Sequence, residues 1–413
     1  MSGNKIRVGI FGAGRGESFA AMAKLTDAEV TAVCDKDRSK AEGLISRQCP
    51  GAAYYADFSD FIARDFDAVV LCNYFHEHAG YAIKAMEAGK HVMSECVCNM
   101  TAAEGVELCR AVEKSGRIYK LAENYPYFAS NMEMRRVYGG GTLGRVMYAE
   151  GEYVHPMSSR DFNWHVSGER HWRNWIPATY YITHALAPLM YITDTMPVSV
   201  SAFAVAAPEL KRGTPALHSD GAAIIICRMD NNAVFRVTGW AQLGGHGNWY
   251  RVSCTKGSVE SVRGKEGDVR LAYNSWDKPE GAEAEQIYAA QWIHSGELAA
   301  KAGHGGGDFW VMHEFIKAIK EKQQPYFDVY RGVACSSAGI FAWKSILNGG
   351  ANTSMPDFRD ENSRKAYECD RMTPDPFAPA SKVPCGQDSS YTPTKADLEN
   401  AYKDWREFGF DVQ

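Results

Sequence analysis

Apolar runs and amphipathic stretches alternate along the first 121 residues. Residues 5–11 read as a strand that runs into glycines, and a helix is expected after Gly16. A second strand covers 29–34, a helix lies near 38–47, and Asp67–Asn73 is a third, almost wholly apolar strand. The helix His78–Gly89, the strand His91–Ser94, the helix Ala102–Ser115 and the strand Ile118–Leu121 complete the series. Alternation of this kind predicts a doubly wound parallel sheet, whose ligand crevice lies at the carboxyl ends of the strands. Asn73, Glu95 and Glu123 each follow such an end.

Beyond Glu123 the rhythm changes. Val146–Val154, Val198–Val205, Ala222–Arg228, Ala233–Gln242 and Tyr250–Cys254 read as strands joined by turns such as Asp230-Asn231-Asn232. Close spacing predicts a large, mostly antiparallel sheet, with helices at Thr179–Tyr191, Phe309–Lys322 and Arg331–Asn348 covering one face. Thr353–Pro393, rich in proline, serine and charge, predicts an extended arm, and Lys395–Phe408 a last helix packed on the body. The chain therefore divides into an α/β unit (1–123), an α+β unit for substrate and oligomerisation (124–350), and a C-terminal arm with its helix (351–413). The arm either crosses to a neighbouring subunit or closes the crevice.

Composition narrows the partners. The 413 residues are 45% apolar and 23% charged with a net charge of −5. Those values describe a soluble globular protein without a basic footprint for nucleic acid. No run of 18 apolar residues suits a membrane, and no cleavable apolar leader precedes Ile6. Eleven cysteines include no Cys-x-x-Cys pair, and Cys34, Cys72, Cys109 and Cys227 sit inside apolar elements. Reduced, buried thiols in a cytoplasmic protein follow. Cys96-Val97-Cys98 lacks zinc spacing, so no metal is expected.

The first strand carries the chemistry. Arg7-Val-Gly-Ile-Phe-Gly-Ala-Gly-Arg-Gly16 joins an apolar strand to three alternating glycines. Gly12 and Gly14 permit a tight turn and close approach of backbone N–H groups to phosphate, at the positive end of the following helix. Glu17 stands where the motif's third glycine falls. The next strand ends in Asp35, 23 residues after Gly12, where a carboxylate accepts the adenosine ribose hydroxyls. Asp35 favours NAD over NADP, a preference softened by Lys36 and Arg38. The expected cofactor contacts are Gly12, Gly14, Arg15, Gly16, Asp35, Asn73, Glu95 and Asn124.

Gly12-Ala-Gly14, Asp35, Ala88-Gly-Lys-His-Val92, Gly144 and the apolar helix around His184 fall in one order. In that order the sequence resembles the Gfo/Idh/MocA oxidoreductases, which pair a Rossmann domain with a large antiparallel α/β domain. It departs from that family's Glu-Lys-Pro, which is Glu95-Cys96-Val97 here. A thiol with an ordinary pKa of about 8.5 does not replace an ammonium as proton donor, so proton handling lies elsewhere or is absent. Further fragments are similar to the branch with NAD-dependent α-N-acetylgalactosaminidases: Ala122-Glu-Asn-Tyr125, Tyr153-Val-His155 thirty residues after Glu123, Tyr181-Ile-Thr-His-Ala-Leu-Ala-Pro188, and His304-Gly-Gly-Gly-Asp-Phe309. The branch's N-acetyl pocket has no recognisable counterpart.

That resemblance implies Tyr181 as the base at a sugar C–H and His184 as the proton acceptor or donor at the oxidised hydroxyl, roles that are exchangeable. Tyr181 and His184 stand three residues apart, which on a helix gives them one face. Glu123 and Tyr153 are expected to hold sugar hydroxyls, with Arg173, His155 and His304 beside them and His246 a weaker candidate. Asp308 reads as an N-cap, and His78 as a structural residue opening a helix. The expected activity is hydride transfer on a sugar or glycoside, in its sharpest form glycoside cleavage by oxidation and elimination, outside the paired-carboxylate scheme. A plain sugar or cyclitol dehydrogenase, and an NAD-binding protein without catalysis, are the alternatives. Retention of a Tyr, a His and a Glu argues against the last. An open sheet face implies a dimer or tetramer.

Overall fold

Short strands, the central ones buried on both faces, build the first sheet of the computed structural model, which describes residues 5–379 and 383–410. β1 (Ile6–Phe11), β2 (Ala28–Cys34), β3 (Ala53–Tyr55), β4 (Ala68–Leu71), β5 (His91–Ser94) and β6 (Tyr119–Leu121) pair in parallel in the order β3-β2-β1-β4-β5-β6. Helices cover both faces, so Val8, Ile10, Val69, Val70 and Val92 are fully buried. The order reverses between β1 and β4, and the loops after these strands part to leave a crevice.

The second sheet has nine strands: β7 (Val146–Val154), β8 (Pro197–Ala206), β9 (Asp220–Met229), β10 (Val234–Thr238), β11 (Gly247–Cys254), β12 (Gly257–Val262), β13 (Lys265–Tyr273), β14 (Glu285–Ala289) and β15 (Thr353–Ser354). Their order is β14-β13-β12-β11-β7-β10-β9-β8-β15, antiparallel except for β7 with β10. β12 to β14 escape the apolar-run reading because they are half exposed; β14 shows solvent nearly every residue. The helix Thr183–Thr193 lies across β7, so close that a Cβ on Gly151 would stand 2.1 Å from the Ala185 carbonyl oxygen. The helix Val329–Leu347 packs on β8 and on the Rossmann helix Ala102–Ser115. One apolar core therefore runs from Val69 and Val92 through Val106 and Leu121 to Phe235 and Val252.

Three expectations change. The helix Gly307–Glu321 does not cover the second sheet: Phe309, Trp310 and Phe315 join Phe19, Met22 and Ile10 in a separate core on the first sheet, against the helix Ala13–Ala23. An amphipathic pattern states that one face is buried and leaves open which sheet buries it. The stretch expected as the helix Thr179–Tyr191 is a 3-10 turn, Ala178–Ile182, followed by the helix Thr183–Thr193, with Tyr181 off helical geometry at φ −86°, ψ 22°. The glycine-motif helix starts at Ala13 instead of Gly16, because Gly12, at φ 98°, makes the turn.

The arm folds back on its own chain. Thr353 pairs with Val200 on β8. Arg364, 2% exposed, then binds both Glu113 oxygens and the Phe358 carbonyl, while Arg110 meets Glu361 and Glu368. The strap thus crosses the helix Ala102–Ser115. Beyond it, the helix Lys395–Glu407 is capped by Thr394 and Asp397, and Trp405 donates to the Asn163 carbonyl at 3.2 Å.

Candidate active site

The crevice at β1 and β4 opens into a cleft of ≈710 Å³ roofed by the second sheet and its helix Thr183–Thr193. At its floor the three glycines have different reasons to be glycine. A Cβ on Gly12 would stand 2.4 Å from the Cys72 carbonyl oxygen, and one on Gly16 2.4 Å from Ile10 Cγ2. At Gly14 a Cβ would meet nothing within 4 Å. Protein packing therefore explains Gly12 and Gly16 but not Gly14, which borders open space suited to a pyrophosphate. Asp35, at the end of β2, accepts from the Ala13 N–H at 2.7 Å and the Asp37 N–H at 2.8 Å.

Arg15 clamps this floor to the far end of the chain. Its Nε donates to Glu95 at 2.6 Å, and its two terminal nitrogens meet Asp308 at 2.8 and 2.6 Å. Asp308 also accepts from Asn124 at 2.8 Å and lies 3.0 Å from His304 Nδ1. Burial alone would raise the Asp308 carboxyl; Arg15 and His304 override it and hold the group far below the carboxylate range. Asp308 is not an N-cap: that position is Gly306, and the carboxylate turns to Arg15.

A buried carboxylate orients the imidazole. Glu123, with no exposed surface, places its two oxygens 2.8 and 2.9 Å from His184 Nδ1 and receives the Cys96 thiol at 3.1 Å. Burial would raise its pKa, but the neighbouring His184 and the hydrogen bonds from His184 and Cys96 hold it below the usual value. With Nδ1–H committed to Glu123, Nε2 is the nitrogen left to accept a proton from a ligand. Cys96 is kept a thiol by burial and by repulsion from Glu123 and Glu95. Cys96, Glu123 and His184 resemble a metal ligand set. Their contacts at 2.8–3.1 Å are hydrogen bonds, shorter than the ~3.3 Å between ligands around a tetrahedral zinc.

The second titratable group stands beside the first. The ring centroids of Tyr181 and His184 are 5.6 Å apart, and Arg173 Nη1 donates to the Tyr181 hydroxyl at 3.1 Å. Burial pushes the Tyr181 phenol above its ordinary value and Arg173 opposes that rise. Tyr125 stacks on His184 at 4.3 Å, and Tyr153 meets it edge-on at 4.7 Å.

Of the residues expected at the site, Gly14, Arg15, Asn73, Glu95, Asn124, Tyr153, Arg173, Tyr181, His184 and His304 line the cleft. Glu123 instead stands behind His184. His78 opens a helix, 2% exposed, with Nδ1 2.9 Å from the Val97 carbonyl. Sequence reading gave no site role to Tyr125, Trp172 or Trp240 and took Asp308 for an N-cap. The Asp308 signal was present in the glycine-rich fragment before it and that of Tyr125 in the fragment it ends; Trp240 carries none beyond its type.

Comparison with known proteins follows this architecture. Residues 6–123 match the family model for the oxidoreductase family, NAD-binding Rossmann fold, and 131–260 that for the GFO/IDH/MocA C-terminal domain. Residues 246–364 match the C-terminal domain of glycosyl hydrolase 109. A glycosyl hydrolase family 109 protein of Solibacter usitatus is 25% identical over 397 residues, covering 86% of this chain and 88% of that protein. An alpha-N-acetylgalactosaminidase of Shewanella oneidensis is 24% identical, covering 88% and 86%. Among solved structures, levoglucosan dehydrogenase in complex with NADH and levoglucosan superposes with a TM-score of 0.73 at 20% identity, over 85% of this chain and 100% of that one.

Proposed function

Because the chain belongs to the Gfo/Idh/MocA family of NAD-binding oxidoreductases, we propose that it performs hydride transfer on a sugar or glycoside and uses it to cleave a glycosidic bond. The observation that carries this reading is the pairing of two bases at one wall of the cleft: His184 backed by Glu123, and Tyr181 backed by Arg173.

Gly14 and Arg15 border the pyrophosphate space, Asp35 stands at the ribose end, and Asn73, Glu95 and Asn124 flank the crevice. Bound NAD supplies a reversible hydride acceptor. His184 Nε2 takes the proton of the sugar hydroxyl whose carbon gives up hydride, and Glu123 stabilises the resulting imidazolium. The ketone so formed acidifies the adjacent C–H. Tyr181, whose ionisation Arg173 favours against the cost of burial, removes that proton, and the glycosidic oxygen leaves by elimination. Tyr153 and His304 hold sugar hydroxyls. Water addition and the reverse proton transfers through the same groups complete the cycle.

The test is incubation with aryl glycosides in D₂O without added cofactor, following aglycone release and deuterium at sugar C2. Many turnovers with deuterium incorporation support the cycle. NADH accumulation with NAD⁺ and free sugar, but no release, makes the protein a plain sugar or cyclitol dehydrogenase; neither signal makes it a binding protein without catalysis. Tyr181→Phe is expected to abolish release yet leave hydride transfer measurable.

The setting is part of the proposal. No helix among the described residues is long and apolar enough to cross a membrane. All eleven cysteines are free, which suits the reducing cytoplasm. The helix-free face of the second sheet carries Phe203 and Ile226, 63% and 40% exposed, beside the cross-strand row Arg236, Glu150, Arg251, Glu260 and Arg270. Mixed charge flanking an apolar edge is self-complementary, and supports pairing of copies into a dimer or tetramer.

A further inference from the structure

The outer half of the cleft is built without acid. The whole chain has more acidic than basic residues, 50 against 45. Yet Glu95 is the one carboxylate lining the cleft among the described residues, and Arg15 neutralises it at 2.6 Å. Seven of the chain's 12 histidines line the same space. His171 Nδ1 accepts from the Arg173 backbone N–H at 3.3 Å, and His155 and His246 line the same cleft as Arg173.

Arg173 is the centre of this group. Its guanidinium stacks on Trp172, with Cζ 4.3 Å from the ring centroid, and spends one N–H on the Tyr181 hydroxyl. Among the described residues it has no carboxylate partner, although it is half-buried. His155 and His246 lie edge to face at 5.0 Å, and buried His155 Nδ1 has no hydrogen-bond partner. His171 packs against Trp172 at 5.5 Å and Tyr74 at 5.3 Å. A half-buried guanidinium without a carboxylate partner, sharing its cleft with His155, whose buried Nδ1 is unused, is a poor arrangement for a neutral ligand alone. It suits a planar anion that accepts two N–H bonds from one guanidinium.

We infer that this cleft carries a subsite for a carboxylate on the substrate, so that the preferred sugar is a uronic acid glycoside. Arg173 meets the carboxylate with the N–H groups not used by Tyr181, His155 and His246 close over it, and Trp172 and Trp240 line the sugar ring. The inference rests on the sugar-processing reading of the same cleft and names its substrate class.

Binding separates the two ideas, since it needs no turnover. Calorimetry on the NAD⁺-loaded protein compares methyl glucuronide with methyl glucoside, and methyl galacturonide with methyl galactoside. The uronide of at least one pair is expected to bind at least tenfold tighter. His246→Gln, on the exposed loop Gly244–His246 where folding is not at stake, should cut that uronide-to-neutral ratio severalfold. Neutral sugars binding as tightly as uronides in both pairs, undetectable binding of both uronides, or a ratio unmoved by His246→Gln overturns the subsite. Tight uronide binding without aglycone release from uronides sustains the subsite and removes the cleavage reaction; release from neutral glycosides with no uronide preference does the reverse.

Discussion

Replacing Glu123 by Gln tests the buried dyad with little change of shape. The substituted side chain still offers a carbonyl oxygen to His184 Nδ1–H, so the tautomer and ring orientation survive. What disappears is the negative charge that stabilises the imidazolium formed as His184 takes the substrate proton. With the oxygens 2.8 and 2.9 Å from Nδ1, the charge centres lie about 4 Å apart, worth ~4 kcal/mol at an effective dielectric of about 20. Retained hydrogen bonding offsets part of this, so hydride transfer should slow by about 10²–10³-fold. The assay is single-turnover NADH absorbance at saturating NAD⁺ and sugar, beside a thermal melt that confirms folding. In a His184→Gln background, Glu123→Gln should cost almost nothing further, because the charge then has no imidazolium to stabilise. A loss smaller than tenfold in the single variant, or full additivity in the double, would falsify the assignment.

Gly14→Ala should leave the melting temperature unchanged, as its Cβ meets no protein atom, yet weaken NAD binding by at least tenfold in a fluorescence titration; unaltered affinity would place the pyrophosphate elsewhere. Lys120, fully buried against the Tyr127 hydroxyl, is lowered by burial from 10.5 to about 8. Between about pH 8 and 10.5 the unfolded chain holds that proton and the folded chain does not, so stability rises with pH, on the order of 3 kcal/mol in all. Urea melts across that window should show a shallower rise in Lys120→Met, and equal slopes would contradict the burial argument. Arg364→Ala removes the arm's bonds to Glu113, Glu361 and Phe358 and should cost about 3 kcal/mol, exposing 353–379 to limited proteolysis; a protease-resistant variant would show that the strap is held by other contacts.

Periodicity along the chain is local information, and it was enough for the parallel sheet, the glycine turn at Gly12 and most strands of the second sheet, because burial on one or both faces imprints itself on neighbouring residues. It missed β12 to β14, which are half exposed and so lack a continuous apolar signature, the edge strand β14 most of all. It also put the helix Gly307–Glu321 on the wrong sheet, since amphipathicity names a buried face and no partner. Motif spacing identified the residue types of the site: Tyr181, His184 and Arg173 were legible as chemistry-bearing side chains. Their division of labour was not. Glu123 reads in sequence as a ligand contact after a strand, and only the packing of the helix Thr183–Thr193 over that strand end turns it into the carboxylate behind His184. The clamp between Arg15 and Asp308 spans 293 residues, and the acid-free mouth of the cleft is assembled from segments around 74, 155, 173 and 246. Such convergence is decided by how sheets and helices stack in three dimensions, because charges far apart along the chain come to share one low-dielectric space only after the core has closed.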